Sequence, residues 1–206
     1  MIGVLLAGGR ASRLEGGDKC LLELGRKKLL AWTIERLRPQ VGALVLNANG
    51  DPGRFASFGL PVIADYASPK IGDFAGPLAG VLAGMTYALA KTPEATGVLT
   101  APTDTPFLPL NLVARLVTAS AGKQLAVARS ATGIHPVVGL WPLALAEDLR
   151  RDLEAGQRKV VDWVKAQGAV EVDFPEERIG GRSFDPFFNI NRPEDLAEAE
   201  ALLRGD

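Results

Sequence analysis

Cysteine and histidine are almost absent. Of 206 residues, Cys20 is the one cysteine and His135 the one histidine. A lone cysteine excludes an internal disulfide and argues against a thiolate-ligated metal, which needs several sulfurs. It fits a reducing cytoplasm, the expected location. A lone histidine without supporting motifs gives no serine–histidine–acid pattern, and between two strand-like segments it reads as a turn or partly buried residue. Long apolar runs are missing too: nothing approaches the ~18 residues of a membrane span. The apolar start, Ile2 to Ala7, is too short for a signal peptide and has no basic region before it. Neither sign of charge is in excess, with 23 Lys and Arg against 24 Asp and Glu. Such a chain has no global field for nucleic acid or a membrane surface, and neither is expected as a partner. No repeat, low-complexity tract or linker interrupts it, so a single domain over 1–206 is expected.

What is present is alternation. Ile2 to Leu6 is apolar on both faces, as a central strand requires. Helix-period residues Leu29, Leu30, Ile34 and Leu37 mark a helix over 28–37 that stops before Pro39. Strands follow at 43–47 and 60–64, and Pro77 opens a helix to about Ala90. A strand at 97–101 precedes a helix at 110–119. Strands at 124–129 and 136–141 flank the polar turn 130–135 and could pair. Helices at 142–153 and 159–167, strands at 169–174 and 187–190, and a helix at 193–203 complete the chain. Alternating β and α elements predict an α/β fold of three layers, Rossmann-like, with a mostly parallel sheet and helices on both faces.

In such a sheet ligands bind beyond the carboxyl ends of the strands. Those positions hold Ala7-Gly8-Gly9, Asn47, Asp65 and Asp104. The first strand empties into a loop with four glycines and the cations Arg10, Arg13 and Lys19. Glycine lets backbone N–H groups approach an oxyanion, and the cations add charge, so the loop suggests a polyphosphate cradle. It matches neither G-x-x-x-x-G-K-[ST] nor G-x-G-x-x-G. Asp104, between Pro102 and Pro106, suits Mg²⁺, which takes one or two carboxylates with phosphate oxygens and water. Asp65 could accept two parallel hydrogen bonds from guanine N1–H and N2–H₂, a pair that cytosine lacks, and the Asn47 amide could also meet a base. Taken alone, Asp65 and Asn47 are equally good turn residues, Asn47 with Asn49-Gly50.

Several motifs in order resemble the molybdenum cofactor guanylyltransferases of the MobA type. Leu6-Ala7-Gly8-Gly9, Arg13 and Asp18-Lys19 resemble that family's L-A-G-G-x-x-x-R-M-G-G-x-D-K. Val45-Leu46-Asn47-Ala48-Asn49, Val62-Ile63-Ala64-Asp65, Gly76-Pro77-Leu78-Ala79-Gly80 and Pro102-Thr103-Asp104-Thr105-Pro106 match further motifs, as do His135-Pro136 and Phe188 to Leu196. The resemblance implies the nucleotide-diphospho-sugar-transferase fold and transfer of GMP from GTP to the phosphate of molybdenum-bound molybdopterin. It implies that Leu6, Ala7, Gly8, Gly9, Lys19, Asn47, Asp65 and Asp104 bind nucleotide, and that Asp104 binds Mg²⁺. It further implies that Asp104, Lys19 and Arg13 are catalytic, and that Asn189 and Asn191 lie on the acceptor side. The N-terminal half would then hold GTP and the C-terminal half the molybdopterin cofactor. Transfer of a labile cofactor would bring contact with a molybdenum-insertion protein and client apoenzymes. The chain departs from the family at Leu14-Glu15, where Met-Gly is usual, and in a longer loop at Lys70 to Phe74. The rival readings are the cytidylyltransferase for the same cofactor, usually L-A-A-G at Leu6 to Gly9, a sugar-1-phosphate nucleotidyltransferase, and a non-catalytic nucleotide-binding protein.

Overall fold

A strand without a polar side chain must be covered on both faces, and Ile2–Leu6 (β1) is buried along its whole length. In the computed structural model, which describes residues 1–8, 18–71, 76–122 and 124–204, it lies inside a seven-stranded sheet. A hairpin of Glu23–Leu24 (β2) and Lys27–Lys28 (β3) leads into Leu29–Leu37 (α1). Ala43–Asn47 (β4), Val62–Ile63 (β5), Pro77–Lys91 (α2), Gly97–Pro102 (β6) and Leu112–Ala119 (α3) follow. The second half contains Ala126–Ser130 (β7), Gly133–Pro142 (β8), Ala146–Glu154 (α4), Val160–Ala166 (α5) and Val170–Asp173 (β9). It ends with Glu177–Ile179 (β10), Arg182–Phe184 (β11) and Pro193–Arg204 (α6).

The sheet order is β5-β4-β1-β6-β8-β7-β9, with β8 antiparallel to both of its neighbours and the other pairs parallel. The chain moves outward from β1 through β4 to β5 and then crosses back to β6 on the other side of β1. The strand order therefore reverses between β1 and β6, where an open α/β sheet forms its crevice. Side chains alternate along β1. Ile2, Val4 and Leu6 pack with α2, α4 and α5, while Leu5 packs with α1 and α3. A third cluster joins Leu24, Leu29 and Phe107 to Phe184, Ile190 and Leu202, and seats the C-terminal segment against the first hairpin.

Most expected elements appear within one or two residues. The segment 187–190 is a correction: it is not a strand. Phe188 N–H donates to Asp185 O, and Ile190 N–H donates to Asp104 O, so its backbone crosses to the Asp104 loop instead of joining a ladder. The turn between β7 and β8 is also tighter than expected. Ser130 pairs with Gly133, which puts His135 on the strand and not in the turn. Pairing slips within this hairpin, from Val127↔Gly139 to Ala128↔His135, leaving 136–138 as a bulge. Pro136 has no N–H to give a ladder, and a bulge is where proline fits in a sheet. Thr100 pins the bulge by donating to Val137 O at 2.7 Å while accepting from the buried Trp141 indole N–H at 2.6 Å.

Candidate functional site

Three strand ends meet at one level. Leu6 pairs with Asn47 on one side and Pro102 on the other. The backbone bonds continue past the strands, Ala7 N–H to Asn47 O at 2.9 Å and Thr103 N–H to Leu6 O at 3.3 Å. Leu6 and Ala7 are buried, and Gly8 is exposed at the strand end. Gly9, Arg13 and Glu15 lie outside the described residues.

Two polar clusters flank this line. In the first, Lys19 sits in a 3₁₀ turn over Lys19–Leu21. Its Nζ donates to Asp104 Oδ2 at 2.5 Å, Asn191 Oδ1 at 2.5 Å and Asn189 Oδ1 at 3.2 Å. Asn189 Nδ2 in turn donates to Asp104 Oδ1 at 2.8 Å. The side chains of Lys19 and Asp104 are only 10% and 17% exposed. An ion pair so removed from water persists because hydrogen bonds satisfy its remaining donors and acceptors, here from the two asparagines. Residues 85 and 170 positions apart thus converge on one ammonium. Sequence reasoning named all four residues, Lys19 and Asp104 for the nucleotide and the chemistry, Asn189 and Asn191 for the acceptor, but their mutual contact had no sequence signal.

The second cluster surrounds Asp65, just after β5. Asn47 Nδ2 donates to Asp65 Oδ1 at 3.0 Å and to Ile63 O at 3.3 Å. Asn49 grips the same residue twice: its Nδ2 donates to Asp65 Oδ2 at 2.7 Å, and its Oδ1 accepts from the Asp65 N–H at 2.9 Å. A carboxylate has about four lone-pair sites, so two remain after these bonds, one on each oxygen. Asn47 has both amide hydrogens engaged, which makes it a holder of Asp65, and only its carbonyl oxygen is left. Asn49 is a residue the sequence reading passed over as half of an Asn-Gly turn. Arg54 ties this cluster to the first. It bonds Asp18, the residue before Lys19, and donates to Asn49 O at 2.6 Å.

A cavity of about 380 Å³ opens beside Asn189, between the bulge of β8 and residues 185–189. Its walls include Pro102, Thr105, His135, Pro136, Phe187 and Asn189.

These clusters belong to a recognisable kind of protein. Residues 3–170 match the MobA-like NTP transferase domain. The chain belongs to this family. It is 51% identical to the molybdenum cofactor guanylyltransferase of Rhodopseudomonas palustris, covering 98% of this chain and 94% of that protein. It is 47% identical to the one from Cereibacter sphaeroides, covering 100% and 98%. The fold matches the crystal structure of molybdopterin-guanine dinucleotide biosynthesis protein A from Archaeoglobus fulgidus, with a TM-score of 0.71, 23% identity and full coverage of both chains. The chain is therefore a nucleotidyltransferase with the nucleotide-diphospho-sugar-transferase fold. Among the described residues no helix is long and apolar enough to cross a membrane.

In this MobA-like domain, Gly80 of α2 makes room for the Asp65 cluster. A Cβ there would fall 2.2 Å from Asn47 Oδ1 and 3.0 Å from Leu6 Cδ2. Alanine favours a helix over glycine by ~1 kcal/mol, so the backbone alone would welcome Gly80→Ala. The expected result is instead a ~10-fold loss of nucleoside triphosphate affinity, because Asn47 must swing away from Asp65, with thermal stability changed by less than about 2 kcal/mol. Calorimetric titration with GTP and a melting curve check both halves.

Proposed function

We propose that the chain transfers GMP from GTP to the phosphate of molybdenum-bound molybdopterin, with the N-terminal half holding GTP and the C-terminal half the acceptor. The observation that carries the reading is the convergence of Lys19, Asp104, Asn189 and Asn191. It joins the phosphate side of the crevice to residues next to the cavity. The names of the relatives support the same substrates.

The residues fit Mg²⁺. Three hard oxygens, from Asp104, Asn189 and Asn191, gather around the Lys19 ammonium, which stands where a cation is held. Among the described residues no cluster of three or more His, Cys, Asp or Glu could bind a metal alone. That suits an ion completing its shell with phosphate oxygens and water. When bound at Asp104, Mg²⁺ neutralises phosphate charge and helps to stabilise the leaving pyrophosphate.

The protein's part is recognition and charge. Asp65, fixed by Asn47 and Asn49, offers one lone pair on each oxygen to guanine N1–H and N2–H₂. Ala7 and Gly8, at the end of β1, face the triphosphate side of the crevice, and nucleotide binding is assigned to Gly9 and charge neutralisation to Arg13 as well. An oxygen of the acceptor phosphate attacks the α-phosphorus. The bond from that phosphorus to the bridging oxygen breaks, and pyrophosphate leaves with the electron pair. A phosphate monoester is already largely ionised at neutral pH, so no general base is needed. Lys19 exchanges Asp104 for phosphate oxygens and offsets the charge that develops there. The setting is the cytoplasm, where a molybdenum-insertion protein and client apoenzymes would meet the product.

Incubation with molybdopterin and GTP, CTP or ATP tests this. Pyrophosphate release should require the acceptor and prefer GTP by ~10-fold or more, since a base without the donor pair leaves Asp65 unpaired. Preference for CTP would overturn the guanine assignment.

A further inference from the structure

The cavity beside Asn189 has a polar device that the reaction just described leaves unused. Asp185 Oδ2 lies 2.6 Å from both Ser130 Oγ and Thr132 Oγ1, and its Oδ1 accepts from the Phe187 N–H at 2.8 Å. Burial works against the charged carboxylate, but the hydroxyl and backbone bonds outweigh it and hold Asp185 below the usual carboxylate range. An ionised carboxylate can only accept, so the single hydroxyl proton of Ser130 goes to Asp185. Ser130 Oγ is also 2.7 Å from His135 Nε2. With its own proton spent, Ser130 can only accept there, and the hydrogen belongs to Nε2. Burial lowers the His135 pKa, favouring the neutral ring. A neutral imidazole protonated on Nε2 has its lone pair on Nδ1.

That ring lines the cavity. Phe187 backs it, with centroids 4.6 Å apart and planes tilted by 32°, and Phe174 braces Phe187 edge-on at 5.2 Å. Pro102, Ile134 and Val137 supply apolar walls, and the bulge of β8 presents His135 to the space. The result is a largely apolar cleft in which His135 joins the polar lining residues Thr105, Thr132, Asp185 and Asn189, the mix of flat apolar walls and a few polar groups that takes a flat ring bearing an N–H. Asn189 lies at the junction: it lines the cavity and donates to Asp104. A molecule with a ring in the cavity can therefore direct an attached phosphate towards Asp104.

We infer that this cavity seats the heterocyclic ring of the acceptor, with His135, locked by Ser130 and Asp185 as the Nε2–H tautomer, accepting a hydrogen bond from a ring N–H. The inference rests on the proposed acceptor being a pterin phosphate. His135 is then a specificity-determining residue, and Ser130 and Asp185 are positioning residues that act through it.

The probe is a reduced pterin monophosphate, titrated calorimetrically into the full chain, with GTP titrated separately. His135→Phe keeps the aromatic contact and removes the acceptor. It should weaken pterin binding roughly 3- to 10-fold, the range for one neutral hydrogen bond. The acceptor KM should rise by the same factor while the GTP KM stays put. Ser130→Ala should weaken pterin binding about 2- to 3-fold in the wild-type background and not at all beside His135→Phe, because residues acting as a unit are not additive. Should His135→Phe fail to fold, Ser130→Ala and Asp185→Asn carry the same split between acceptor and GTP. Unchanged pterin affinity in these variants, or fully additive losses, overturns the inference and leaves the proposed function standing. Wild-type chain that binds Mg·GTP but no pterin phosphate overturns the functional reading, and this inference with it.

Discussion

Asp104→Asn is expected to lower Mg²⁺-dependent pyrophosphate release by ~100- to 1,000-fold while GTP affinity changes by no more than about 3-fold. The substitution keeps the size and one carbonyl oxygen, so the bond from Asn189 Nδ2 survives. It removes the charge that holds Lys19 and that, in the proposed reaction, would hold the metal ion. Asp65, proposed to read the base, lies on the other side of β1 from Asp104 and is untouched. Turnover titrated against Mg²⁺ and calorimetry with GTP separate the two effects. Equal losses of affinity and turnover would place Asp104 in nucleotide binding and not in the chemistry.

Lys19→Met is expected to cost a similar ~100- to 1,000-fold in turnover by a different route. The methionine stem fills much of the same space but brings no charge to the phosphates. In the free protein, Asp104 and the two asparagine oxygens lose the ammonium that gathers them. Two signatures distinguish this variant from Asp104→Asn. GTP affinity should fall as well, because the proposed reaction has this charge on the nucleotide already in the ground state. The Mg²⁺ concentration giving half-maximal turnover should not rise, because Asp104, the carboxylate proposed to hold the metal, is still present. A variant that needs more Mg²⁺ but binds GTP normally would contradict this division of labour.

Asp104 lies just past a strand end that can be read from sequence, while Lys19 follows the glycine-rich loop in a 3₁₀ turn. Ile2 to Leu6, Ala43 to Asn47 and Gly97 to Ala101 are apolar runs broken by polar or proline residues, so their ends and the residues just beyond them are legible. Contacts between distant segments are not. Ser130 and Asp185 are 55 positions apart, and neither lies in a pattern that announces the other. His135 was recognisable as half-buried, but its place on β8 follows from a two-residue turn and a proline bulge that hydrophobic periodicity does not report. Phe187-Phe188-Asn189-Ile190 imitates a strand because it is mostly apolar, yet Phe187 and Ile190 are buried in different clusters, its first two amides serve Asp185 and the Ile190 amide serves the Asp104 loop. The hairpin β10–β11 did have a signal, Gly180-Gly181 with φ of 57° and 87°, as a two-residue turn of that hand demands. Its strands are only three residues each and were lost between longer elements. Asn49 was hidden for the opposite reason: Asn-Gly explains itself as a turn, and the grip on Asp65 needs β5 beside β4 to be seen.

The central claim is that Lys19 leaves Asp104 for the phosphates when GTP and metal arrive, while Asp65 reads the base. A crystal structure of the chain with Mg²⁺ and a non-hydrolysable GTP analogue tests it most directly. The account predicts the guanine N1–H and N2–H₂ on the two Asp65 oxygens, the metal on Asp104, and Lys19 Nζ within hydrogen-bond distance of a phosphate oxygen. Guanine bound away from Asp65, with Lys19 still paired to Asp104 and the metal elsewhere, would contradict it.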